Sequence, residues 1–257
     1  MQKRTGGEIY IGVVGPVRTG KSTFIKRFMD VAVLPYMEDA AQKTRAQDEL
    51  PQSAGGRTIT TTEPKFIPQE AVELKLAGEV TIRVRLVDCV GFMVEGAAGH
   101  LEDGAERLVK TPWYDHEIPF TQAAELGTRK VITDHSTIGV VVTTDGSFSD
   151  LPQETYLDAE NQAISELKKL HKPFLVLVNS SHPSSRTARE AAERIEKQHS
   201  VAAMPVNCAQ LSEEDIRQIM EQILYEFPVS RVEFYMPKWV EMLPFSHPLK
   251  TGLIEKI

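Results

Sequence analysis

Residues Gly15-Pro16-Val17-Arg18-Thr19-Gly20-Lys21-Ser22 satisfy the pattern G-x-x-x-x-G-K-[ST]. The pattern lies between an apolar, strand-like stretch from Ile9 to Val14 and a helix-like one from Ser22 to Val33. That order of strand, glycine-rich turn and helix is the context that makes it a phosphate-binding P-loop. The charge of a nucleoside triphosphate must be met by fixed dipoles, so Gly15 and Gly20 let the backbone curl and aim N–H groups inward. Pro16, Val17, Arg18, Thr19 and Thr23 complete the expected cradle. Lys21 adds a point charge at the β- and γ-phosphates, and the Ser22 hydroxyl is placed to ligate Mg²⁺.

At 257 residues the chain can bury a full core, which predicts one α/β domain with additions. A net charge of -7, with no run of clustered Lys and Arg, argues against a nucleic-acid surface. No apolar run approaches the length of a membrane span, and the start Met1-Gln2-Lys3-Arg4 lacks the apolar stretch of a signal peptide. A cytoplasmic protein is expected. Cys89 and Cys208 stand far apart without metal-type spacing, so they read as reduced, packed thiols.

Further along, the polar stretch from Pro35 to Lys65 is too long for an ordinary connection, which predicts a functional or partly disordered segment where the first switch of a P-loop protein falls. Glu70 to Ala77 and Val80 to Asp88 alternate apolar with polar residues around Gly78-Glu79, as two paired strands do. An antiparallel hairpin beside a parallel sheet is a feature of the Ras-like class, so the resemblance narrows from P-loop proteins in general to that branch, related to the translation-factor GTPases. That fold has a mostly parallel sheet with one antiparallel strand and helices on both faces. The rest reads as strand and helix units: Thr137 to Thr144, Asp158 to Leu170, Phe174 to Asn179, Ser184 to Gln198, Ala202 to Val206 and Ser212 to Tyr225. Gly91 to Phe120 reads as an insertion, either a lid or partner surface or a plain solvated loop. Residues 1–227 are expected to form the P-loop domain. Residues 228–257 read as the start of a following domain, with Val229 to Leu243 suited to a strand.

Arg85-Leu86-Val87-Asp88-Cys89-Val90-Gly91 joins an apolar strand end to D-x-x-G. Asp88 is expected to hold Mg²⁺ and the Gly91 N–H to sense the γ-phosphate. Ras-like enzymes place a Gln after this glycine to orient the attacking water, whereas this chain has Phe92. The run Arg57-Thr58-Ile59-Thr60-Thr61-Thr62 offers hydroxyls that could reach the γ-phosphate or metal, although such a run also suits a plain strand. At the base-reading position, where GTPases carry N-K-x-D, stand Asn179-Ser180-Ser181-His182. Without the Asp, both donors of guanine would be left unpaired, and the frame of a GTPase without its base lock favours ATP.

Five segments extend these departures: Thr19 to Thr23 (T-G-K-S-T), Arg45 to Ala54 (R-A-Q-D-E-L-P-Q-S-A), Thr61 to Phe66 (T-T-E-P-K-F), Leu86 to Gly91 (L-V-D-C-V-G) and Thr111 to Tyr114 (T-P-W-Y). Together they closely resemble the stage IV sporulation protein A family, the spore-coat morphogenetic ATPases of endospore-forming bacteria. The resemblance implies ATP hydrolysis that drives self-assembly into a static polymer, the basement layer of the coat on the forespore surface in the mother-cell cytoplasm. By the same resemblance Lys21 is the Walker A lysine, Asp88 the Walker B aspartate, and Thr61 with Thr62 the sensor threonines, Thr62 also facing the metal. It further implies that the chain is the ATPase region of a longer protein. Polymer contacts and docking on a small amphipathic membrane-anchoring peptide and other coat proteins would then belong mostly to regions beyond it. Two other readings stay open: a regulatory GTPase with an apolar residue in place of the catalytic Gln, and a nucleotide-binding scaffold without turnover. Arg18, fourth in the P-loop, is a candidate arginine finger in cis, or else an outward side chain that pairs at the surface.

Overall fold

The structure is a computed structural model that describes residues 8–51, 64–75, 81–97, 101–102, 105–148, 151–227, 235 and 238–254. It divides into two compact units, Met1–Glu226 and Phe227–Ile257.

The first unit is built on a sheet of strands β1 (Glu8–Val14), β2 (Lys65–Lys75), β3 (Thr81–Asp88), β8 (Ile138–Thr144), β9 (Phe174–Asn179) and β10 (Ala203–Val206). Their order is β10-β9-β8-β1-β3-β2. Every neighbouring pair is parallel except β2 with β3. Strands β8 and β9 are buried at every residue, as expected of central parallel strands covered on both faces. The edge strand β2 starts earlier than its apolar alternation suggests, pairing Lys65 with Asp88 before its register shifts between Ile67 and Val72. Pro68 stands in that irregular stretch, which an edge strand tolerates because the missing N–H serves no central ladder.

Helix α1 (Lys21–Phe28) follows the P-loop, runs on through a π turn at Met29–Val33, and buries Phe24, Ile25 and Phe28. Helices α4 (Leu157–Lys169) and α5 (Arg186–His199) join one apolar cluster with Val87, Val141, Val176 and Val178. Helix α5 reaches it through Ala188, Ala191, Ala192 and Ile195, spaced three and four residues apart on one helical stripe. Helix α6 (Glu213–Tyr225) packs on β9 with the same spacing of Ile216, Ile219, Met220 and Ile223. The side chains of α1 and α6 lie outside the α4–α5 cluster, and successive strand residues face opposite sides, so helices cover both faces of the sheet. Starts are set by caps: Ser185 accepts from the Ala188 N–H, and Ser212 and Asp215 form a reciprocal capping box. Under α5, buried Glu160 accepts from the Thr143 hydroxyl at 2.6 Å and pairs with Arg194 at 2.8 Å.

Three segments differ from the sequence reading. The polar stretch after α1 holds an ordered helix, α2 (Ala40–Asp48), whose N-terminus is capped by the Asp39 carboxylate at 2.7 Å from the Ala41 N–H. It buries only Ala46, so it leaves no apolar periodicity to read. Much of the expected insertion is β structure: the short pair β4 (Leu101–Glu102) and β5 (Ala105–Glu106), then a hairpin of β6 (Leu108–Thr111) and β7 (Tyr114–Pro119) turning at Pro112-Trp113. The hairpin leads straight into α3 (Phe120–Lys130), which ends in a π turn at Val131–His135. In the second unit, Lys238–Glu241 forms a short helix, α7, where a strand was expected, and Pro248–Ile254 forms α8. Residues 229–234 and 236–237 of that expected strand lie outside the described residues.

Candidate functional site

The P-loop leaves β1 and enters α1 through three residues of positive φ, Gly15 at 129°, Arg18 at 62° and Gly20 at 96°. A side chain at Gly20 would overlap the Asn179 amide, which fixes glycine there. Non-glycine residues are uncommon in this region, so Arg18 is held by its surroundings rather than by preference. The loop is tied down by the Thr19 hydroxyl, which lies 2.6 Å from Val142 O and 3.0 Å from Pro16 O. The Asn179 amide donates to Thr19 O at 2.9 Å and accepts from the Cys208 N–H at 3.0 Å. Asn179 thus clamps the phosphate loop to the segment after β10.

Lys21 is buried, and its ammonium donates to Pro16 O at 2.6 Å. Burial pushes it below the usual lysine value, opposed by Cys89 and Asp88. Ser22 Oγ donates to Asp88 Oδ2 at 3.2 Å, which brings together two of the three side chains that the sequence analysis assigned to the metal. Burial raises the Asp88 carboxyl above the ordinary carboxylate range, against the pull of Lys21, Ser22, the Cys89 N–H and Lys65. A desolvated carboxylate and hydroxyl are hard oxygen donors, and bound charge would relieve what burial costs them. The residues therefore fit a small divalent cation such as Mg²⁺, with phosphate and water oxygens as its other ligands. Among the described residues no group of three or more His, Cys, Asp or Glu could hold a metal by itself.

Gly91, at φ 105°, lies against the same lysine: a Cβ there would stand 2.5 Å from Lys21 Nζ and would overlap Gly15 O. Its N–H donates to the Thr128 hydroxyl of α3 at 3.0 Å. Phe92, in place of a catalytic Gln, is buried, and its backbone pairs with the P-loop: its N–H donates to Gly15 O at 3.0 Å and its carbonyl accepts from the Val17 N–H at 2.9 Å. Thr128 and this backbone pairing carry no motif, so the sequence does not reveal them. Thr61, Thr62 and the rest of Arg57 to Thr62 lie outside the described residues. Both cysteines are free and buried, and burial pushes the Cys89 thiol up to about 11, so it stays protonated.

The segment at the expected base-reading position is stitched by hydroxyls. Ser180 Oγ accepts from the His182 N–H at 3.0 Å, and Ser147 Oγ accepts from the Ser181 N–H at 2.8 Å. Together these loops line a cleft of about 530 Å³ with Asp145, Gln153 and Ser185. The position that reads guanine with a carboxylate in GTPases holds His182.

A crystal structure of an SsGBP and GDP complex is similar, with a TM-score of 0.49 and 12% identity over 88% of this chain and 52% of that one. Among curated proteins, Stage IV sporulation protein A of Clostridioides difficile (strain 630) is 49% identical over 254 residues, and that of Bacillus subtilis (strain 168) 46% over 255. The protein of the same name from Bacillus anthracis is 45% identical. Each match covers 99% of this chain and 52% of the relative, so the chain spans about half the length of the curated relatives it matches. No described helix is long and apolar enough to cross a membrane. Residues 1–228 match the model of the Stage IV sporulation protein A ATPase domain, and the chain belongs to that family.

Proposed function

We propose that this chain binds and hydrolyses ATP with Mg²⁺, and that turnover drives a conformational change for self-assembly into the static polymer of the spore-coat basement layer. The observation that carries the catalytic part is the meeting of Lys21, Ser22 and Asp88 at the mouth of one P-loop, in a chain of an ATPase-domain family. Lys21 would exchange Pro16 O for a phosphate oxygen, so its ammonium would meet an opposite charge in place of a neutral carbonyl. The N–H groups at the start of α1 would meet the remaining phosphate charge. Ser22 and Asp88 would hold Mg²⁺, which supplies Lewis-acid neutralisation of developing phosphate charge. Thr61 and Thr62 would orient the attacking water, a role that rests on the family resemblance. With His182 where guanine readers carry Asp, no carboxylate at that position meets the guanine donors, which favours ATP.

The resemblance also supports a mother-cell location at the forespore surface, with coat proteins and a small amphipathic anchoring peptide docking on parts of the relatives beyond the matched half. Asp88→Ala, and Thr61→Ala combined with Thr62→Ala, test the catalytic assignment. Each should leave ATP bound, measured by calorimetry, while phosphate release falls by about 10²-fold or more. Parental turnover in either variant would contradict the role of the residues replaced.

A further inference from the structure

Gly91 lies against the lysine that a terminal phosphate would approach, yet its N–H is engaged elsewhere. It donates to Thr128 Oγ1 at 3.0 Å, while the Thr128 hydroxyl itself donates to Ala124 O at 2.8 Å. Thr128 is fully buried within α3. The next residue fastens to the other side, Phe92 exchanging backbone hydrogen bonds with Gly15 and Val17. Gly91-Phe92 is therefore a strap across the P-loop, held to the loop by Phe92 and to α3 by Thr128. Beneath it the Lys21 ammonium is turned onto Pro16 O at 2.6 Å.

We propose that Thr128 is a positioning residue that competes with the terminal phosphate for the Gly91 N–H: it holds that N–H at rest, yields it to a nucleoside triphosphate, and so tempers the site's affinity for triphosphates and not for diphosphates. The proposal rests on the nucleotide-site reading above. A hydroxyl is a neutral acceptor and a phosphate oxygen a charged one, so the N–H gains by the exchange. Thr128 loses little, because its own proton stays on Ala124 O and an unused lone pair costs far less than an unsatisfied N–H. A diphosphate ends short of Gly91 and leaves the bond intact. A threonine that merely back-bonds its own helix would need only the Ala124 contact. The second bond, to a residue 37 positions earlier, is what links the phosphate site to α3 and to the hairpin that leads into it.

The test is calorimetric titration of the 257-residue chain with Mg²⁺ and either ADP or a non-hydrolysable ATP analogue, for the parent, Thr128→Val and Thr128→Ser. The valine variant strands the Gly91 N–H at rest, so the analogue should bind about tenfold more tightly while ADP changes by less than about twofold. The serine variant should restore parental values. Equal changes for the two nucleotides, or weaker analogue binding by the valine variant, would overturn the proposal while leaving the nucleotide site intact. A parent chain that binds neither nucleotide would overturn the site reading, and this proposal with it. Should Thr128→Val not fold, the methyl resonance of Thr128 in the parent must shift with the analogue and not with ADP; a resonance unmoved by bound analogue refutes the coupling.

Discussion

Asn179→Ala should damage the P-loop from a distance. The amide joins Thr19 O at 2.9 Å and the Cys208 N–H at 3.0 Å, and it is itself buried. Truncation strands the Cys208 N–H, at about 1–3 kcal/mol, and takes the donor from Thr19 O, at about 1 kcal/mol, so the summed loss is about 2–4 kcal/mol. In a unit of this size that lowers the melting temperature by about 5–15 °C. It should also weaken ATP binding by about tenfold, because an ordered loop presents its N–H groups without first being organised. Urea unfolding of the nucleotide-free chain gives the first quantity and calorimetry with ATP the second. Asn179→Asp keeps the acceptor for Cys208 but sets a carboxylate oxygen against Thr19 O, so it should be no more stable than the alanine variant. A stability change within about 0.5 kcal/mol for Asn179→Ala, with parental ATP affinity, would refute the clamp.

Lys172 sends its ammonium to the carbonyls of Ile132, Thr133 and Ser136 around the turn that ends α3, so Lys172→Met should cost about 1.5–3 kcal/mol in urea unfolding. Stability equal to the parent would show that these contacts contribute nothing net. For Arg18, the cis-finger reading predicts that Arg18→Ala lowers kcat by about 10²-fold with little change in ATP affinity, in a reaction indifferent to potassium. A parental rate in the isolated subunit would refute the finger, and Arg18 would then be tested as an assembly contact.

Where the sequence is legible, a local pattern stands behind it. Strand β9 can be read to the residue because an unbroken apolar run is bounded by Lys172-Pro173 and by Asn179-Ser180-Ser181. Helix α6 is legible because Ser212 and Asp215 announce its start and four apolar residues keep helical spacing. Helix α3 escapes for a physical reason: its buried stripe is Phe120, Ala123, Ala124, Gly127 and Thr128, mostly small residues whose burial hydropathy does not register. The site divides in the same way. Lys21, Ser22 and Asp88 belong to motifs whose spacing encodes their meeting, and the structure brings them together. The bond from Gly91 to Thr128 depends on α3 lying beside D-x-x-G, a tertiary fact that no short pattern contains.

The P-loop must above all be an ATP-hydrolysing one. Phosphate release by the parent and by Lys21→Ala, each with ATP and with GTP and each with and without Mg²⁺, tests that claim most directly. Removal of the buried ammonium should lose about 2 kcal/mol or more of triphosphate binding and nearly all turnover. The expected result is Mg²⁺-dependent release from ATP by the parent, little from GTP, and almost none from either by Lys21→Ala. Faster release from GTP than from ATP, or a Lys21→Ala chain that matches the parent, would contradict it.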